Sequence, residues 1–81
     1  VSEQYLERIS INPKVMVGKP VIRGTRIPVE LIVRMVAQGI PIEDILTDYP
    51  RLTTDDIRAA LYFAADSVAN EDIRLLSVAS A

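Results

Sequence analysis

The chain has 81 residues, 49% of them hydrophobic but only 5% aromatic, with no Cys, no His and a net charge of -2. A chain this short hides only about 60% of its unfolded surface, which predicts one domain over residues 1–81 with a single aliphatic core. Without Cys or His there is no disulfide framework, no thiolate or imidazole metal ligand and no common general base, so the expectation is a non-enzyme with no cofactor and no metal.

No secretion leader is recognisable and no apolar run approaches the roughly 20 residues of a bilayer span, so the expected location is the cytoplasm. The charge is unevenly divided. Up to Ile40 the basic residues Arg8, Lys14, Lys19, Arg23, Arg26 and Arg34 outnumber Glu3, Glu7 and Glu30, and after it acidic residues dominate. Any surface that faces phosphate is therefore expected mainly in the first half.

In chain order, Val1 to Arg8 reads as a helical turn or a frayed end, with Tyr5, Leu6 and Ile9 on one side. Residues 9–27 read as short extended pieces, Ile9 to Ile11, Val15 to Val17, Val21-Ile22 and Arg26-Ile27, separated by Pro13, Gly18, Pro20 and Gly24. Arg23-Gly24-Thr25 is predicted to close a tight hairpin between the last two pieces, with Gly24 at positive φ.

Residues 28–69 read as a trihelical core. Pro28 suits the first turn of a helix that carries Val29, Ile32, Val33 and Val36 to Gln38, with Gly39 as its stop. Pro41 repeats the start signal for a short second helix through Ile42, Ile45 and Leu46, ending before Tyr49-Pro50. Thr53 with Asp56 three residues on is a capping-box arrangement in which Asp replaces the usual Glu or Gln. It opens a third helix with the stripe Ile57, Ala60, Leu61, Ala64 and Val68, ending near Ala69 and followed by a tail over 70–81. The predicted fold is thus mostly α, a three-helix helix-turn-helix core with a short N-terminal β-hairpin.

The run Ile11-Asn12-Pro13, then Gly18-Lys19-Pro20-Val21-Ile22-Arg23-Gly24-Thr25-Arg26-Ile27-Pro28-Val29, resembles the family catalogued as domain of unknown function 433. Gly39-Ile40, Glu43-Asp44-Ile45-Leu46, Asp48-Tyr49-Pro50-Arg51-Leu52-Thr53 and Asp56-Ile57 continue the likeness, which covers roughly Ile9 to Ala65. The resemblance implies a homeodomain-like fold and a role as a VapB-type antitoxin paired with a PIN-like nuclease toxin.

The candidate chemistry follows. Adjacent Glu43-Asp44 and Asp55-Asp56 read as helix-start charges, not as an acid-base pair. Gly18-Lys19 lacks the remaining residues of a phosphate loop. Lys19, Arg23, Thr25, Arg26, Arg34 and Arg58 are candidate contacts to double-stranded DNA, against the plainer reading of a hairpin whose arginines pair with carboxylates. A reading helix would expose Thr54, Asp55, Arg58 and Ala59, but its two aspartates oppose phosphate, which favours protein docking.

Glu71, Asp72, Arg74, Leu75 and Leu76 are candidate partner contacts, and the apolar surplus at Val21, Ile22, Ile27, Leu75 and Leu76 suggests a homodimer. The expected function is that of an antitoxin-like component binding a PIN-like nuclease toxin and operator DNA. The alternatives are a stand-alone DNA-binding regulator or a protein-interaction module without DNA binding.

Overall fold

A computed structural model describes residues 5–14 and 16–71. Two short strands, β1 (Ile9–Ser10) and β2 (Val21–Ile22), precede three helices, α1 (Val29–Ala37), α2 (Ile42–Asp48) and α3 (Thr54–Glu71). The architecture is mostly helical, a helix-turn-helix-like arrangement with an N-terminal antiparallel β-hairpin, as the periodicity predicts. No helix among the described residues is long and apolar enough to cross a membrane.

The strand partners differ from the expectation. β2 pairs with β1, Ile9 opposite Ile22 and Ser10 opposite Val21, while the Arg26-Ile27 leg contributes only an isolated bridge from Pro28 to Val21. The tight turn itself forms. The Thr25 N–H donates to the Ile22 carbonyl at 3.0 Å, with Gly24 at φ +81°, a conformation open to glycine because it has no Cβ. The Thr25 hydroxyl doubles that bond to Ile22 and accepts the Ile27 N–H, so the side chain holds both ends of the turn.

Of the strand expected through Val15 to Val17, Val15 lies outside the described residues and the rest forms a 3-10 turn over Met16–Gly18. Val17 stands there in the left-handed region at φ 55°, fully exposed, a strained position for a β-branched residue.

Pro28 and Pro41 start α1 and α2 from one position earlier than the first helical turn. Each is the N-cap in extended conformation, and each carbonyl accepts the first bonds of its helix. At the other end of α1 the Ile40 N–H reaches the Met35 carbonyl and the Gly39 N–H the Val36 carbonyl. That pair of bonds is a Schellman closure, with Gly39 at φ +83° and Ile40 folded back onto the core.

The capping box of α3 forms in full. The Thr53 N–H donates to Asp56 Oδ2 at 3.0 Å and the Asp56 N–H to Thr53 Oγ1 at 3.2 Å. Arg8 Nη1 donates to the other carboxylate oxygen of Asp56 at 3.1 Å, which joins the N-terminal segment to the start of α3. Asp56 is the buried charge of the described chain, and the Thr53 N–H and the Arg8 guanidinium, one donor to each carboxylate oxygen, are what make its burial tolerable.

The core is aliphatic: Ile22, Ile32, Ile45 and Ile57 are fully buried, with Ala59 and Ala60 letting α3 approach its neighbours closely. On α1 the buried face is Val29, Ile32 and Met35, with Val33 and Val36 at its edge. Val21 and Ile22, taken as apolar surplus, are 2% and 1% exposed and Ile27 is partly buried, so they belong to the core and give no ground for a dimer. Ala59, expected on an exposed reading surface, is likewise fully buried.

Asp56→Ala removes an N-terminal cap and leaves Arg8 without its acceptor. It is expected to lower stability by about 1–2 kcal/mol in urea unfolding, the range for lost helix caps. Ile32→Ala, a cavity in the centre of the core, is expected to cost about 2–5 kcal/mol in the same experiment.

Candidate functional site

Two surfaces carry chemistry. The first is a groove of about 460 Å³ between α1 and α3, whose apolar lining includes Pro20, Pro28, Val29, Val33, Phe63 and Val68. α1 contributes Val33 and α3 contributes Phe63 and Val68; Val33 and Phe63 are partly buried against the core, and Val68 lies further out. Val68 is 54% exposed.

One rim of the groove is charged. Lys19 Nζ lies 2.8 Å from Glu30 Oε1, and Arg34 Nη2 lies 3.6 Å from Glu30 Oε2. Two cations share one carboxylate, so the rim keeps a net positive charge. The hydrogen bond from Lys19, then its charge, with a smaller contribution from Arg34, hold the Glu30 carboxyl below its ordinary value against a small opposing effect of desolvation.

The second surface is a recess of about 530 Å³ lined by Ser10, Asn12, Val21, Gly24, Thr25, Arg26 and Arg51. The hairpin turn places Thr25 and Arg26. Arg51 comes from the turn between α2 and α3, where the Leu52 N–H donates to the Tyr49 carbonyl and Pro50 sets the corner.

The residues expected to face DNA are not gathered into one patch. Lys19 and Arg34 stand on the rim of the groove, whereas Thr25 and Arg26 lie in the recess. Arg58 is exposed on α3, beside the stacked rings of Tyr5 and Tyr62 at a centroid distance of 4.8 Å. Arg23 is engaged within the fold: its Nε–H donates to the Glu7 carbonyl at 2.6 Å and its Nη2 to the Ile9 carbonyl at 3.1 Å. The partners of Arg23 are backbone oxygens, not the carboxylates of the plainer reading. Arg51 was missed, and so were Ser10 and Asn12, since only the folded turns bring residues 10, 26 and 51 together.

At the start of α3, Asp56 is buried under Arg8, and Arg8 Nη2 lies 3.7 Å from Asp55 Oδ2. Of the candidate partner contacts, Glu71 closes α3, while Asp72, Arg74, Leu75 and Leu76 lie outside the described residues.

Residues 9–64 match the family described as protein of unknown function (DUF433). The chain belongs to the DUF433 family. Its fold is similar to the crystal structure of a DUF433 member protein from Anabaena variabilis, with a TM-score of 0.73 and 34% identity over 91% of this chain and 73% of that one. Similar sequences are the uncharacterized protein y4eO of Sinorhizobium fredii, 38% identical over 58 residues, and an uncharacterized protein of Archaeoglobus fulgidus, 63% identical over 30 residues. The match covers 72% of this chain but 26% of the Sinorhizobium protein, and 37% of this chain but 83% of the Archaeoglobus protein. This DUF433 chain thus shares a helix-turn-helix-like fold consistent with a DNA- or protein-binding module.

Because Glu30 is lowered by its hydrogen bond to Lys19, its favourable contribution is present above the ordinary glutamate pKa and is lost as pH falls through the lowered value. A side-chain carboxyl NMR titration is expected to place Glu30 below a free glutamate, and Lys19→Ala is expected to move it upward. An unchanged midpoint in that variant would show the pair to be absent in solution.

Proposed function

We propose that this DUF433 chain is a non-catalytic, antitoxin-like module of the cytoplasm that docks a PIN-like nuclease in the groove between α1 and α3. The observation that carries the reading is that groove: apolar walls beside a rim on which Lys19 and Arg34 share the single carboxylate of Glu30. Its complement is an apolar helix that carries an acidic residue toward the rim, an arrangement helix-in-groove complexes use with side chains at helical spacing. The nuclease as partner comes from the family resemblance alone. The groove supplies the docking.

In this reading the chain acts as a homodimer, for which the exposed Ile11 and Val17 on the N-terminal side offer apolar surface now that Val21 and Ile22 are accounted for in the core. Contact with operator DNA belongs to the same proposal. It would not run through the start of α3, where the exposed Asp55 repels phosphate and Asp56 is buried under Arg8. A stand-alone DNA-binding regulator is the second reading, favoured by Arg26, which has no ion pair among the described residues.

The test is co-expression with a PIN-like nuclease encoded by a neighbouring gene, followed by purification of the complex at moderate salt. A stoichiometric complex is expected, with Val68→Glu weakening it by at least about tenfold while the thermal unfolding midpoint stays within error, as for an exposed site. A complex of unchanged affinity in Val68→Glu would remove the groove as the seat. A chain that leaves the nuclease behind and retains only DNA, with affinity falling steeply as salt rises, would establish the regulator instead.

A further inference from the structure

The geometry points to a phosphate-binding site in the recess between the hairpin turn and the α2–α3 turn, with Arg26 and Arg51 as its two cationic arms. Among the described residues neither guanidinium has a carboxylate partner, and no acidic side chain lines the recess. In a chain with 11 acidic residues and 9 basic ones, two arginines brought to one recess without a carboxylate are out of balance. Like charges in one recess repel, and an anion held between them reverses the sign of that interaction.

The remaining lining supplies neutral donors. Asn12 Oδ1 already accepts the Lys14 N–H at 2.9 Å, which leaves the Asn12 amide nitrogen with its two hydrogens to give. The Ser10 hydroxyl makes no side-chain hydrogen bond among the described residues and is half-buried at the edge of β1. The Thr25 hydroxyl is committed to Ile22 and Ile27, so it shapes the recess and does not bind.

Two planar guanidinium forks, an amide and a hydroxyl match the several oxygens of a phosphate, which accepts bidentate bonds from arginine. The ligand is a phosphate group, whether free or in the backbone of a nucleic acid. None of these residues lines the α1–α3 groove, so this site stands or falls separately from nuclease docking.

The experiment is an NMR titration of the labelled full chain with inorganic phosphate, and separately with a short DNA duplex, each at ionic strength matched with chloride. Saturable shifts are expected at the Arg26 and Arg51 side chains and at the Ser10 and Asn12 amides. Arg26→Ala or Arg51→Ala should each weaken binding by at least about tenfold, the scale of one lost charge-assisted hydrogen bond. Arg51→Lys keeps the charge without the fork and should fall between.

Saturation by inorganic phosphate with no gain from the duplex would identify a free phosphate ligand. Tighter binding of the duplex, with a salt slope reduced by about one for each arginine removed, would identify a nucleic-acid backbone. Absence of saturable shifts with both probes, or equal binding in the well-folded Arg26→Ala, Arg51→Ala double variant, would overturn the site.

Discussion

The carboxylate of Asp56 is the point on which the rest of the molecule hangs. A buried charge is tolerable only when its oxygens are occupied, and here one takes the Thr53 N–H and the other the Arg8 guanidinium. Through Thr53 it starts α3; through Arg8 it fixes the approach of β1. Arg23 then grips the carbonyls on either side of Arg8, and the Arg23 N–H donates to the Arg8 carbonyl itself at 2.7 Å. That places β2 and the Gly24 turn, whose return leg delivers Pro28 to the start of α1, where the Val29 N–H bonds the Pro20 carbonyl. Hairpin and helices are thus one hydrogen-bonded assembly.

How far the fold can be read from the residues depends on how local the cause is. Proline, glycine and the Thr53–Asp56 pair act within a few positions of themselves, so helix starts and stops and the Gly24 turn are legible, with Pro28 and Pro41 each misplaced by a single position. Strand pairing is not local. A strand of two residues has too little alternation to declare its partner, and Ile9-Ser10 competes equally with Arg26-Ile27 for Val21-Ile22. The same limit governs the basic residues. Composition placed them in the first half, but whether an arginine is free depends on oxygens distant in sequence, which claimed Arg23 and left Arg26. Arg51, in the acidic half, carried no signal that it would face Arg26.

The division of charge in the folded molecule differs from its division along the chain. The acidic start of α3 is turned to structural use, with Asp56 buried and Asp55 beside Arg8, and this separates the helix-turn-helix frame from the usual placement of a reading helix on phosphate. Positive character collects elsewhere, at the Lys19–Glu30–Arg34 rim and at Arg26 with Arg51. The first accompanies predominantly apolar walls and the second a recess that also holds Ser10, Asn12 and Thr25, so the two surfaces suit chemically different neighbours.

The bond between Arg8 and Asp56 spans 48 positions of the chain. Most other stabilising features close over only a few residues: the Schellman turn of α1, the proline corner before Leu52, the capping box. Loop closure grows costlier with length, so the short-range elements can assemble while the long loop is still open. Between those extremes lies the β1–β2 pairing, Ile9 with Ile22, a shorter closure than the Arg8–Asp56 bond. The same bond, together with the stacked rings of Tyr5 and Tyr62, joins the two ends of the ordered core, and these contacts can open without dissolving its helical centre.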